Sequence, residues 1–303
     1  MIVYWPTDAK QTFGTEILRA DHLFEQSDLF SNSGLATLLD LYPRNALEIW
    51  TSGETGDGRR STLRGRAPRM PGKDIVEAVK HGQIWLTLRQ ADLSLPVLQP
   101  MATEIHRSLS KATARNISRP GMNLIISSPN VQSPYRLDLS MSAMFQIRGS
   151  KRLRLFPCDE KHVAPEHIEQ MVHQTRSNVL PFRDSFDKHA RIFDLKPGMG
   201  VTWPQFSPYR IQNTQSLNVS LSYAFTTFES AVNTNAIYAN ALLRQKMKLS
   251  PKTQKRVDLA ALAKATYAQA HKSLNRFQSH PAPTPITFEL DMSVENCVKP
   301  LWA

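Results

Sequence analysis

The chain has 303 residues, 41% of them hydrophobic, which is enough for one large globular domain or two modest ones. Its 37 Lys and Arg against 26 Asp and Glu give a formal charge of +11, which favours an acidic partner and says nothing about fold. Cys158 and Cys297, the only cysteines, stand far apart in no ligand spacing, so neither a disulfide framework nor a zinc module is supported. No apolar run approaches the roughly 20 residues of a membrane span, and Asp8 and Lys10 interrupt any signal-like start. A cytoplasmic protein with free thiols is expected.

In chain order, the first third mixes periods. Gly34 to Leu41 reads as a helix, and Leu47–Thr51 and Ile84–Leu88 as apolar strands. Helical spacing returns in Lys73–Lys80 and Pro100–Ser110. Between these lie Arg59, Arg60, Arg64, Arg66 and Arg69 among Gly53, Gly56, Gly58, Gly65, Pro68, Pro71 and Gly72. Residues 52–72 therefore read as the longest loop: a solvated one first, a lid or partner contact second, a nucleic-acid contact last.

The middle changes to short alternating segments punctuated by Pro, Gly, Asn and Ser. Leu124–Ser128 and Tyr135–Leu139 read as strands. Met144–Arg148 and Lys151–Phe156 read as a hairpin closed by Gly149-Ser150. Arg191–Leu195 and Gly200–Trp203 follow. In Asn218–Phe225, Val219, Leu221, Tyr223 and Phe225 share one face, while Asn218, Ser220 and Ser222 share the other, the candidate lining of a polar pocket. Beyond Phe228, Ala231–Lys246 and Val257–Phe277 read as helices that brace a barrel or form a homodimer seam. A tail with Pro281, Pro283 and Pro285 closes the chain.

Three pieces in order, SSPNVQSPYRLD (127–138), QIRGSKRLRLFP (146–157) and PGMGVTWPQFSPYRIQN (197–213), resemble the JmjC and cupin-like proteins of the 2-oxoglutarate oxygenase superfamily, most closely bacterial cupin-like proteins of about this length. The resemblance covers residues 120–228. It implies a mainly β protein, a double-stranded β-helix (jelly-roll) barrel braced by N- and C-terminal helices. It divides the chain into a mixed α/β region (1–119), the barrel (120–228) and a helical region with tail (229–303). In that family the first piece carries His-any-Asp, the second a Gly-any-Lys hairpin whose Lys meets the far carboxylate of 2-oxoglutarate, and the third ends in a distal His. Two imidazoles and a carboxylate hold one face of Fe(II) and leave positions for 2-oxoglutarate and oxygen.

By register, Arg136 stands at the first His, Asp138 keeps the carboxylate, and Tyr209 stands at the distal His. A guanidinium keeps its proton and cannot ligate. At an effective dielectric near 20 it repels a unit positive charge about 4 Å away by roughly 4 kcal/mol, and a dication by about twice that. The expectation is a metal-free pseudoenzyme in which Arg136 pairs with Asp138 and Tyr209 hydrogen-bonds beside them; an outward Arg136 is the plain alternative. Lys151 matches the family's anion-binding Lys, with Ser133 and Ser222 as polar helpers, although Arg148, Arg152 and Arg154 also let it read as a solvated basic hairpin. The expected partner is a small anion or a polypeptide, with no cofactor. The alternative is an Fe(II)/2-oxoglutarate-dependent hydroxylase with a noncanonical metal site, and a DNA-associated regulator ranks third.

Other groups read as structural. His162, His167 and His173, with Glu166 and Glu169, lack the spacing of a helical zinc motif and suit a surface helix. His189 near Asp184 and Asp187 reads likewise. Gly198 and Gly200 are turn glycines, because no helix start follows them. Trp203 is wall rather than catalyst.

Overall fold

A computed structural model of the protein describes residues 2–54, 60–67, 69–249, 257–274 and 284–301. In chain order the strands are β1 (Val3–Tyr4), β2 (Leu18–His22), β3 (Glu48–Glu54), β4 (Arg60–Arg66), β5 (Ile84–Leu88), β6 (Ser118–Ser127), β7 (Met141–Arg148), β8 (Lys151–Leu155), β9 (Arg191–Leu195), β10 (Met199–Thr202), β11 (Tyr209–Asn213), β12 (Asn218–Thr226), β13 (Ile286–Leu290) and β14 (Val298–Pro300). The helices are α1 (Ala9–Thr12), α2 (Asn32–Leu41), α3 (Gly72–His81), α4 (Ala91–Ser94), α5 (Gln99–Thr113), α6 (Pro165–Val172), α7 (Phe228–Met247) and α8 (Leu259–Leu274). Among the described residues, no helix is long and apolar enough to cross a membrane.

An 11-stranded sheet runs β1-β2-β10-β7-β12-β6-β5-β3-β4-β13-β14, and a three-stranded sheet runs β11-β8-β9. The chain passes between the two sheets at β7–β8, β9–β10, β10–β11 and β11–β12, the winding of a jelly-roll. Alternation sets which residues fill each layer. Val219, Leu221, Tyr223 and Phe225 of β12 join Leu124, Ile126 and Phe145 in the main core, against the helices. Leu153, Leu155, Phe193, Leu195, Val201, Trp203 and Tyr209 form a second cluster that includes residues of both sheets. Helix α7 starts on a capping box in which the Thr227 hydroxyl accepts from Ser230 N and the Ser230 hydroxyl accepts from Thr227 N, and α8 packs on it through Ala261, Ala265 and Ala268.

Four expectations are corrected. Gly149-Ser150 does not close a hairpin: β7 pairs with β10 and β12, and β8 with β9 and β11. Gly149 does take a positive φ, +70°, but the turn carries the chain round a corner, because the Gln146 amide donates to Arg148 O (2.7 Å) and Gly149 O (3.1 Å) and turns the strand end inward. Tyr135–Leu139 is extended without being a strand. Only Arg136 bridges, to Tyr209 and Val179, since Tyr135 and Leu137 are drawn into an aromatic cluster with Phe156, Phe182 and Phe186.

The Arg-rich segment is mostly a β3–β4 hairpin rather than a loop. Arg64 and Arg66 lie on β4, where Arg66 pairs with Glu289 at 3.2 Å; Arg69 is exposed beyond it, and Arg59, Gly56, Gly58 and Pro68 fall outside the described residues. Gly65 is required there by contact, because a Cβ would enter the ring of Phe288. The tail likewise returns to the sheet: β13 pairs in parallel with β4, while Pro281 and Pro283 lie outside the described residues.

Candidate functional site

The extended segment after Pro134 and strand β11 bring together the three positions read as a degenerate triad. Arg136 N donates to Tyr209 O (3.1 Å) and Tyr209 N to Arg136 O (2.7 Å), so the two residues form an antiparallel bridge. Asp138, two residues on, projects to the same side as Arg136. The Tyr209 hydroxyl donates to Asp138 Oδ2 at 3.0 Å, and the Ser142 hydroxyl donates to the same oxygen at 3.2 Å. Asp138 Oδ1 faces Arg136 Nη2 at 3.9 Å, an ion-pair distance without a hydrogen bond.

The guanidinium is held elsewhere. With its amide oriented so that the carbonyl meets the guanidinium, Asn178 accepts from Arg136 Nη2 (2.6 Å) and Nε (3.2 Å). The side chains of Arg136 and Asp138 remain 31% and 27% exposed, so this group sits at an opening. Tyr209 is 7% exposed and packs on Trp203 at 5.5 Å between ring centroids. Burial pushes its phenol pKa up, against the opposing pull of the Arg136 cation and with the smaller help of the Asp138 charge, so the hydroxyl stays a donor at neutral pH.

Lys151, at the start of β8, points between the sheets and is 3% exposed. Its ammonium donates to the Ser220 hydroxyl (2.6 Å), which donates to Gln146 Oε1 (2.8 Å); Gln146 Nε2 in turn donates to Asn218 Oδ1 (2.8 Å). No carboxylate is involved. Burial alone lowers the Lys151 pKa to about 7. The solvated reading therefore fails for Lys151, and there is no hairpin; of its neighbours, Arg152 is exposed and pairs with Asp194 at 2.7 Å, and the partly exposed Arg154 bonds Gln212 at 3.3 Å.

Ser133 is turned to the backbone, accepting from Ile211 N (2.9 Å) and donating to Pro134 O (3.2 Å). Ser222 lies half-buried on the same face of β12, two residues beyond Ser220. Ser220 and Asn218 were visible as the polar face of that strand. Gln146, Ser142 and Asn178 carry no signal in the sequence, since each reaches the site from another element.

The other histidines do not converge on Asp138, and among the described residues no three His, Cys, Asp or Glu are grouped so as to hold a metal. The surface-helix expectation is corrected in part: α6 holds only His167 of the three, and His162 and His167 are each 4% exposed. His162 Nδ1 meets Asp159 at 2.6 Å and His167 Nε2 meets Ser177 O at 3.3 Å, contacts that fix the segment. His189 is exposed, as expected.

A facial iron site needs two neutral imidazoles beside the carboxylate. Here the partners are a permanent cation and a phenol that stays protonated, and the carboxylate oxygen that Tyr209 and Ser142 occupy already has two donors. The residues present do not fit Fe(II).

No family model matches the sequence, and no curated protein matches it. Solved structures do. One, of Escherichia coli ycfD, is 13% identical, with a TM-score of 0.51 over 92% of this chain and 70% of that one. Another, described as the Escherichia coli ribosomal oxygenase YcfD, is 12% identical, with a TM-score of 0.50 over 96% of this chain and 76% of that one. At such identity the likeness concerns the fold alone: the chain is a mainly β protein, a jelly-roll with flanking helices, and these two structures share that fold.

Proposed function

We propose that the protein is a metal-independent binding module on an oxygenase fold, holding a small carboxylate anion against Lys151. The observation that carries the reading is the state of Asp138, bonded by Tyr209 and Ser142 and faced by Arg136 where an iron triad would stand. The cation comes from the chain itself, so no metal is needed to balance the carboxylate. Lys151 supports the anion half: an ammonium buried with one neutral partner lacks a countercharge, and a carboxylate ligand supplies it.

A second reading is favoured by the solved relatives, one of which is described as a ribosomal oxygenase. On that reading the chain is an Fe(II)/2-oxoglutarate-dependent hydroxylase. It requires ligands other than Arg136 and Tyr209 to join Asp138.

Calorimetric titration with 2-oxoglutarate and with succinate separates the two, run without metal and then anaerobically with Fe(II), followed by a succinate-release assay in air. The binding reading expects dicarboxylate affinity without metal, stronger at pH 6 than at pH 8.5 because Lys151 must be charged to attract it. Binding only with Fe(II), together with succinate release, establishes the hydroxylase instead. No binding under either condition overturns both.

A further inference from the structure

The minor sheet has two unlike edges. The outer edge of β11 is closed by bridges from Gln132 to Gln212 and from Arg136 to Tyr209. Strand β9 pairs with β8 alone, and on its far side no backbone group of Arg191–Leu195 has a hydrogen-bond partner among the described residues. An open row of N–H and C=O groups is a template for another strand, and natural proteins commonly cover or disrupt such edges. The strand has two such devices, its shortness and the charged Arg191 and Asp194, but it carries no proline, and Ile192 is 51% exposed upon it.

Cations gather at this edge, although Asp21, Asp184 and Asp187 are also exposed close by. The guanidinium of Arg19, on β2 of the major sheet, lies 5.0 Å from the centre of the Phe193 ring, and that of Arg191 lies 6.0 Å from the same centre. Both residues are exposed, and neither is ion-paired with a described carboxylate. The carboxylate on β9 itself, Asp194, is held through both oxygens by Arg152, at 2.7 and 3.0 Å. Lys188 and Lys196, also exposed, flank the strand. The ring draws two cations together, and an anion between them relieves their repulsion.

We propose that the free edge of β9 docks an extended acidic polypeptide, added as a fourth strand to the minor sheet and clamped by Arg19 and Arg191. The open edge demands a partner with backbone donors and acceptors at strand spacing, which a polypeptide has and a nucleic acid lacks. Base stacking has no exposed ring to use, because Phe193 is 7% exposed beneath the two guanidiniums. The docking edge faces away from β8, where Lys151 stands opposite Leu195 with its side chain turned inward to Ser220, and the proposal does not rest on what binds at Asp138 or Lys151.

The test is fluorescence polarisation at low salt with a fluorescein-labelled octapeptide of alternating glutamate and threonine. Two further copies are N-methylated at alternate amides, one in each phase. A strand presents alternate amides to its neighbour, so methylation in one phase abolishes binding and methylation in the other spares it. The double variant Arg19→Gln/Arg191→Gln, its fold checked by circular dichroism, weakens binding about fivefold to tenfold, the range expected for two exposed ion pairs. Equal binding of both methylated peptides refutes strand addition. Displacement of the peptide by an equally charged oligothymidylate at equal concentration identifies nucleic acid as the partner and overturns the proposal, as does the absence of saturable binding up to 1 mM peptide.

Discussion

Replacing Lys151 by Met tests the electrostatic state of the inner site. Met keeps the straight chain and the volume while removing the charge. In the folded protein the Lys151 pKa is about 7 against an ordinary 10.5. Between those values the unfolded chain binds a proton that the folded one does not. The wild type is therefore free of the penalty above about pH 10.5, loses stability as the pH falls toward 7, and carries the whole cost below it. The whole displacement corresponds to about 5 kcal/mol, of which about 4 kcal/mol is present at pH 7, while the lost Lys151–Ser220 hydrogen bond costs about 1–2 kcal/mol. A net gain of about 3 kcal/mol moves a urea midpoint up by roughly 1 M for a chain of this size. Urea unfolding of both proteins at pH 7, 8.5 and 10 is the assay, with the advantage of the Met variant shrinking as pH rises. A variant less stable than wild type at pH 7, or an advantage constant over that range, refutes the assignment of Lys151 as a buried, uncompensated ammonium.

The remaining predictions concern the corner, the tail and the register. Gly149→Ala forces a Cβ into the left-handed region against Leu217 O and should cost about 2 kcal/mol or more, read as a lower thermal midpoint. Gly65→Ala drives a Cβ into the Phe288 ring. It should cost on the order of 2 kcal/mol and speed proteolysis of the C-terminal strands, with the rest of the chain intact on a gel. The double substitution Arg136→His/Tyr209→His removes the cation and supplies two imidazoles beside Asp138. Calorimetry should then register Mn(II) binding; no gain counts against placing these residues at metal-ligand positions.

The barrel was legible because its period-2 segments are flanked by strong breakers. Val219, Leu221, Tyr223 and Phe225 face the core as their alternation requires, and Ser220 and Asn218 line the opposite side. Pairing was less so. Gly149 announces a turn, yet a positive φ does not say whether the next strand folds back or crosses to another sheet, which here goes with a side-chain bond from Gln146 three residues before and with the close approach of Leu217 from a distant element. The β3–β4 hairpin was hidden by its glycines, one of which, Gly65, serves a close approach by Phe288 from the far end of the chain. The alternation of Ile286, Phe288 and Leu290 was present but overshadowed by the prolines before it.

At the site, spacing alone juxtaposed Arg136, Asp138 and Tyr209. Their hydrogen bonding could not be read the same way, because Arg136 gives its best contacts to Asn178, some forty residues away on a connecting segment, and keeps Asp138 at 3.9 Å. Lys151 shows the opposite failure: three neighbouring arginines suggest solvent, whereas strand alternation sends only the lysine inward.

The central claim is that this jelly-roll does not take a transition metal at Asp138, and the intensity of the free Mn(II) electron paramagnetic resonance signal tests it most directly. Titrated into the wild-type protein with saturating 2-oxoglutarate, Mn(II) should keep its full aqueous six-line signal throughout. Loss of one Mn(II) per chain from that signal, reversed by replacing Asp138 with Ala, contradicts the account.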